Sequence, residues 1–172
     1  MSEASDIVIV AYKKPYRTFC VTVDRERKGD DGITGDEIDK LIHSGHSGII
    51  AKRQGVVVGF CFYKHQSRTS GDRRRKTLWI TRISVLPLAG NDDAVISSAL
   101  MANLKSKAIK EKISVAALLP IGSCYEMGAE ASAFTVCDKQ TKGDIPVVRV
   151  ESGRGVRTEG TKNRIQKYFQ GK

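Results

Sequence analysis

The sequence predicts one domain of the α/β (α+β) class, a mixed sheet flanked by helices. Three observations carry this expectation. Short β-branched runs alternate with two amphipathic helical patterns along the chain. The stretch from Thr77 to Leu119 reads as strand, turn, long helix and strand, which is a βαβ unit. The 172 residues, 40% of them hydrophobic, suit a single core.

The elements follow in order. Asp6 to Ala11 is β-branched and reads as a first strand, ended by Lys13-Lys14-Pro15. Tyr16 to Asp24 is open between strand, favoured by its β-branched residues, and helix. Arg25 to Gly35 is charged and Gly-rich and reads as a loop. A helix then starts at Thr34 or Asp36, with acids in its first turn and Ile38, Leu41 and Ile42 on one face. Gly45 and Gly48 end it. Gly48–Lys52 and Val56–Tyr63 form a hairpin around Arg53-Gln54-Gly55. Lys64 to Lys76 is polar and basic and reads as an exposed loop. Thr77 to Val85 alternates and reads as a central strand, ended by Pro87. Leu88 to Asn91 forms a turn, with Asn91 placed to cap the helix from Asp92 to Ile109. In that helix Ile96, Leu100, Leu104 and Ala108 share one stripe. Ile113–Leu119 is a buried strand and Ile121–Gly128 a short helix. Ala131–Cys137 and Ile145–Val150 are the last strands. The domain therefore covers 1–150. Residues 151–172, with six Lys/Arg and four Gly, read as a flexible basic tail with one helical turn at Ile165–Phe169.

The net charge of +10 favours an anionic partner: nucleic acid, an acidic protein or a phosphorylated cofactor. The four cysteines form no CxxC pair and are expected to be reduced, which argues against a zinc site or a disulfide framework. No apolar run reaches membrane-spanning length, and the first residues lack a basic leader. The expected setting is the cytoplasm, without membrane, as a monomer or homodimer.

Gly48 to Tyr63 contains Ala51-x-x-x-Gly55-x-x-Val58-Gly59. Trp79 to Pro87 ends in Val85-x-Pro87, and Asp92 to Ala108 is an amphipathic helix. From Gly48 to Val136, about half the chain, this series resembles the cofactor-binding half of the GCN5-related N-acetyltransferases, the GNAT family. The resemblance implies a mixed sheet with two splayed strands, here Thr77–Val85 and Ile113–Leu119. It implies acetyl-CoA as cosubstrate, with pantetheine against the backbone of Ile83, Ser84 and Val85. It implies a pyrophosphate at the turn and helix start comprising Gly90, Asn91, Asp92, Asp93, Ala94, Val95, Ile96 and Ser97. It implies Tyr125 as the acid that protonates the departing thiolate after direct attack by a primary amine. No metal is implied.

The chain departs from the family's pyrophosphate loop, [Q/R]-x-x-G-x-[G/A]. Asp92 stands at its basic position, and Val95 and Ser97 at its glycines; the turn is about two residues longer. Two carboxylates about 5 Å from a phosphate repel it by roughly 3 kcal/mol each at an effective dielectric near 20. The strand from Trp79 to Val85 also carries no acid or histidine to serve as base. Asp36, Glu37, His43 and His46 fall near the acceptor side, and His43-x-x-His46 lacks a third ligand for a metal.

Arg68, Arg73, Arg74, Arg75 and Lys76 make a basic patch suited to nucleic acid or another anion, and the tail adds Tyr168 and Phe169 beside its own charges. Two main readings result: an acetyl-CoA-dependent N-acetyltransferase, or a catalytically degenerate module of the same fold that binds nucleic acid or an acidic partner. A third is an unrelated α/β domain sharing only the hairpin and helix.

Overall fold

A computed structural model describes residues 6–70 and 73–152, with 68–70 and 73–75 described by backbone alone. Seven strands form one sheet: β1 (Ile7–Ala11), β2 (Ser47–Arg53), β3 (Val56–Ser70), β4 (Arg73–Val85), β5 (Ser114–Pro120), β6 (Thr135–Lys142) and β7 (Ile145–Ser152). Their spatial order is β1-β2-β3-β4-β5-β7-β6. Only β4 and β5 run parallel among neighbours, joined by the crossover helix α3 (Asp92–Glu111). The remaining helices are α1 (Arg17–Lys28), α2 (Gly35–His43) and α4 (Cys124–Ala131).

The alternation of side chains along the strands divides the core into two layers. On one face, Ile96, Leu100, Met101 and Leu104 of α3 pack on Ile49, Ile83, Val85, Val115 and Leu119. On the other, Cys20 and Val23 of α1 and Ile38 of α2 pack on Ile50, Phe60 and Phe62. Each fully buried Leu or Ile contributes about 1.5–3 kcal/mol relative to its exposed state. Helices α3 and α4 meet at Gly128, where an added Cβ would lie 2.8 Å from the Ser98 backbone nitrogen.

The open segment resolves as helix: α1 starts at Arg17 and buries Cys20, Val23 and Asp24. Burial of Cys20, Val23 and Asp24, spaced i, i+3 and i+4 along one face, outweighs the β-branched content of Val21, Thr22 and Val23. The loop expected from Arg25 is corrected in its first part, because α1 continues to Lys28 and a single 3-10 turn follows at Gly29–Asp31. Thr34 is the cap of α2. Its hydroxyl accepts from the Glu37 N–H while the Glu37 carboxylate accepts from the Thr34 N–H, a reciprocal capping box. The expected loop Lys64–Lys76 is also overturned. Its residues extend β3 and β4 as paired antiparallel arms, from Lys64↔Trp79 to Ser70↔Arg73. These residues are polar and carry no apolar alternation, so composition concealed the strands; the Gly71-Asp72 dipeptide was the available hairpin signal. At the other end β7 runs through Ser152, past the expected domain limit at 150. The proposed tail turn at Ile165–Phe169, and all of 153–172, lie outside the described residues.

Candidate active site

The site begins where β4 parts from β5. The two strands pair at only four positions, from Thr77↔Ser114 to Ile80↔Ala117. Directly after, β4 carries a bulge: Tyr63 pairs with Ile80 and Phe62 with Arg82, leaving Thr81 unmatched. A bulge turns its strand and raises the local twist. From Thr81 to Val85 β4 therefore faces a gap instead of a partner. Val85 N–H and C=O both point into that gap, since the next residue, Leu86, gives its N–H to Val58 on β3.

Three side chains converge on the gap. The Tyr125 hydroxyl, at the start of α4, accepts from the Val85 N–H at 3.3 Å. The Arg27 Nε, from the last turn of α1, donates to the Val85 carbonyl at 2.7 Å. Its Nη2 donates to the Asp93 carboxylate at 3.1 Å, and the guanidinium lies 5.6 Å from the Tyr125 ring centroid. Burial pushes the Tyr125 phenol above its ordinary range, against the opposing pull of Arg27. It stays protonated at neutral pH. Cys124 is pushed up to about 11, chiefly by burial, so its thiol is not a nucleophile at neutral pH.

The helix start is laid out differently from the resemblance. Gly90 turns at φ 70°, a backbone state that suits glycine, with open space beside it. Asn91 occupies the cap position, but its side chain makes no cap bond. That is a correction to its expected role: the Asp93 carboxylate takes the Ala94 N–H instead, at 2.8 Å. Asp92 meets Arg53 at 3.5 Å and Asp93 meets Arg27. Each acid at the helix start is thus matched by an arginine that local sequence did not connect to it. Ala94, Ile96 and Ser97 are buried under the sheet, and the Val95 N–H bonds the Asn91 carbonyl. Of the eight positions expected to face a pyrophosphate, Gly90, Asn91, Asp92 and Asp93 lie at the open turn.

Ser84 points the other way, toward α1, and is fully buried. Beyond it lies Asp24, also fully buried, which accepts from Arg82 Nη2 at 2.7 Å and from the Ile33 N–H at 2.6 Å. Burial works against the Asp24 charge, but the bonds from Arg82 and the Ile33 N–H outweigh it and hold its pKa below the usual carboxylate range. On this face His46 reaches Thr81, with Nε2 2.9 Å from the Thr81 hydroxyl. A cavity of about 630 Å³ opens beside it at the end of β1 and the start of β2. His43 bonds the Asp39 carbonyl, and among the described residues no His/Cys/Asp/Glu group gathers as a metal set.

Arg27, Arg53, Asp24 and Arg82 were missing from the sequence reading. Arg27 sat in the charged stretch from Arg25, which carried no periodic signal, and Asp24 closed the segment left open between strand and helix. In the basic patch, Lys76 is exposed on β4; the side chains of Arg68, Arg73, Arg74 and Arg75 are outside the described set.

No family model matches the chain, and no curated protein matches it in sequence. Solved structures do match in fold. An acetyltransferase of the GNAT family from Streptococcus pneumoniae is 14% identical with a TM-score of 0.66, over 87% of this chain and 99% of that one. A putative acetyltransferase from Salmonella typhimurium, solved with its cofactor acetyl-CoA, is 14% identical with a TM-score of 0.62, over 88% and 96%. The ribosomal-protein-S18-alanine N-acetyltransferase from Escherichia coli is 10% identical with a TM-score of 0.61, over 88% and 99%. At such identities the shared property is the fold: the chain has the GNAT fold, with its mixed sheet and parted central strands.

Proposed function

We propose that the protein is an N-acetyltransferase that moves an acetyl group from acetyl-CoA to a primary amine by direct attack. The observation that carries the reading is the parted β4–β5 gap, into which the Val85 N–H and C=O and the Tyr125 hydroxyl all face. An extended amide-bearing arm is bound by such a strand edge as an added strand is, through backbone donors and acceptors. The thioester supplies an activated acetyl group. Val85, with Ile83 on the same edge, holds the arm, while Ser84 between them pairs with Phe60 on β3; the open turn from Gly90 to Asp93 takes the phosphates.

At that turn the internal ion pairs matter. Arg27 and Arg53 are cations already placed next to the helix start, each presently matched by an aspartate. A pyrophosphate competes with Asp93 for Arg27 and for the Ala94 N–H. This competition weakens binding but leaves a cationic partner at hand, which the sequence pattern alone had denied. Tyr125, neutral and buried at the gap, donates its proton to the leaving thiolate as the amine nitrogen bonds to the carbonyl carbon.

Thermal unfolding with and without acetyl-CoA tests the reading. Saturation at a hundred times Kd stabilises the folded state by about 2.7 kcal/mol, several degrees in Tm for a domain of this size. An unchanged Tm at millimolar acetyl-CoA overturns it.

A further inference from the structure

The cavity of about 630 Å³ next to His46 has no role in cofactor binding on the reading above. Tyr12, Lys13 and Lys14 line it after β1, His46 before β2, Tyr63 on β3 and Lys107 on α3. Its one acid, Asp39, is held by Arg17 through both carboxylate oxygens, at 3.1 and 3.0 Å. Among the described residues, no ion pair involves Lys13, Lys14 or Lys107. The Lys107 ammonium rests 5.8 Å from the Tyr63 ring centroid. The cavity thus carries positive charge without a counter-ion of its own.

His46 joins this cavity to the parted strands. The Ser44 hydroxyl donates to the Leu41 carbonyl at 2.9 Å, so its oxygen can only accept from His46 Nδ1, 3.0 Å away. Nδ1 also lies 3.1 Å from the same Leu41 carbonyl, an acceptor. Both contacts require the proton on Nδ1, which leaves the Nε2 lone pair to the Thr81 hydroxyl. Thr81 is the bulge residue at which β4 leaves β5. The ring is therefore fixed, in one tautomer, with its basic nitrogen at the mouth of the gap.

We propose that this cavity is the acceptor site, that His46 removes a proton from the amine held there, and that Lys13, Lys14 and Lys107 select an amine bearing an anionic group. The proposal rests on the transferase reading. The ammonium displaces the Thr81 hydroxyl from Nε2 and gives that nitrogen one proton, which passes to solvent, and the freed amine lone pair attacks the thioester carbon. The C–N bond forms and the C–S bond breaks. Tyr125 protonates the thiolate and is restored by the second proton lost from nitrogen, so the products are amide, thiol and one proton. The charged and titratable groups around the ring are Lys64 on β3, Asp39 and His43 on α2, Lys13 and Lys14 across the cavity, Lys107 on α3 and Arg82 beside Thr81. Burial first, and Lys64 further, lower the His46 pKa against the opposing bond to Leu41, so the ring is neutral and ready at pH 7.

The experiment follows release of the CoA thiol with two pairs of probe amines, propylamine against β-alanine and ethanolamine against O-phosphoethanolamine. The anionic member of at least one pair is expected to show a kcat/KM tenfold higher or more. The pair that responds tells carboxylate from phosphate. The double variant K13A/K14A is expected to raise KM for that anionic amine. His46→Gln is expected to lower kcat by roughly 10²–10⁴-fold with KM for acetyl-CoA held, and to remove the acid limb of the rate profile. Imidazole NMR of the wild type, free of any dependence on turnover, should report the Nδ1–H tautomer and a pKa below 6.5. Equal use of neutral and anionic amines overturns the selectivity. A His46→Gln enzyme with full rate and an intact acid limb, or an Nε2–H tautomer, overturns the base. If acetyl-CoA binds but no probe amine is acetylated, the acceptor assignment falls alone; if acetyl-CoA does not bind, the transferase reading falls with it.

Discussion

Arg27 holds the Val85 carbonyl with one nitrogen and the Asp93 carboxylate with another. At the scale of single residues this makes Asp93 an internal competitor of any phosphate at the start of α3. Asp93→Asn keeps an oxygen for the Ala94 N–H and removes the charge. Acetyl-CoA is expected to bind it roughly tenfold more tightly or better, since a like charge about 5 Å from a phosphate repels it by about 3 kcal/mol. Isothermal titration checks this, and weaker binding by the variant contradicts it. Tyr125→Phe is expected to fold normally and bind acetyl-CoA, with kcat reduced tenfold or more; an unchanged kcat removes the phenol from the chemistry. Asp24 acts on stability. Its folded pKa lies below its unfolded value near 3.9, so its contribution is complete above pH 4 and is lost as pH falls through the lower folded value. Asp24→Asn is expected to cost about 3 kcal/mol at pH 7, because Arg82 is left without its anion. In denaturant titrations the gap between variant and wild type should shrink below pH 4 and stay constant above it. Tyr125 was singled out through the resemblance, and it lies on the short helix α4. Arg27, Asp24 and Arg53 were not, because each gains its role from a partner 39 to 66 positions away, where no local spacing reaches: Arg53 meets Asp92 across 39 residues, Asp24 meets Arg82 across 58 and Arg27 meets Asp93 across 66.

At the scale of elements, the β4 bulge and the α3–α4 contact set the gap. Gly128→Ala brings a Cβ to 2.6 Å from Ser97 Oγ, which can rotate, and to 2.8 Å from the Ser98 nitrogen, which cannot. Helix α4 must shift, and Tyr125 with it. A loss of about 1–3 kcal/mol is expected by chemical denaturation, with lower transferase activity than stability alone explains. A variant as stable as wild type contradicts the tight contact. The apolar elements could be read from the chain because their pattern is the record of their burial: the stripe Ile96, Leu100 and Leu104 for α3, and the continuous run Val57 to Tyr63 for the inner half of β3. The outer halves of β3 and β4 could not. Lys64 to Ser67 are polar on both faces of the strand, so they carry no apolar alternation and looked like any polar loop. Helix α1 was half legible for the reverse reason: it buries a carboxylate, Asp24, where a pattern reader expects an apolar residue.

At the scale of the whole molecule, the surplus of positive charge, +10, suits a ligand with phosphates and an acceptor with an acidic group alike. The fold was legible because the order of hairpin, strand, helix and strand is a property of the chain as a whole, and the GNAT architecture follows from it. What the order could not convey was the state of the gap, which depends on Val85 meeting both Arg27 and Tyr125. Backbone amide NMR during titration with acetyl-CoA tests the central claim most directly. Saturable shifts are expected to concentrate on Thr81 to Val85 and Asn91 to Val95, with the Arg27 Nε–H signal moving as it leaves the Val85 carbonyl. Shifts confined to the exposed arms of β3 and β4, or none at millimolar acetyl-CoA, would contradict it.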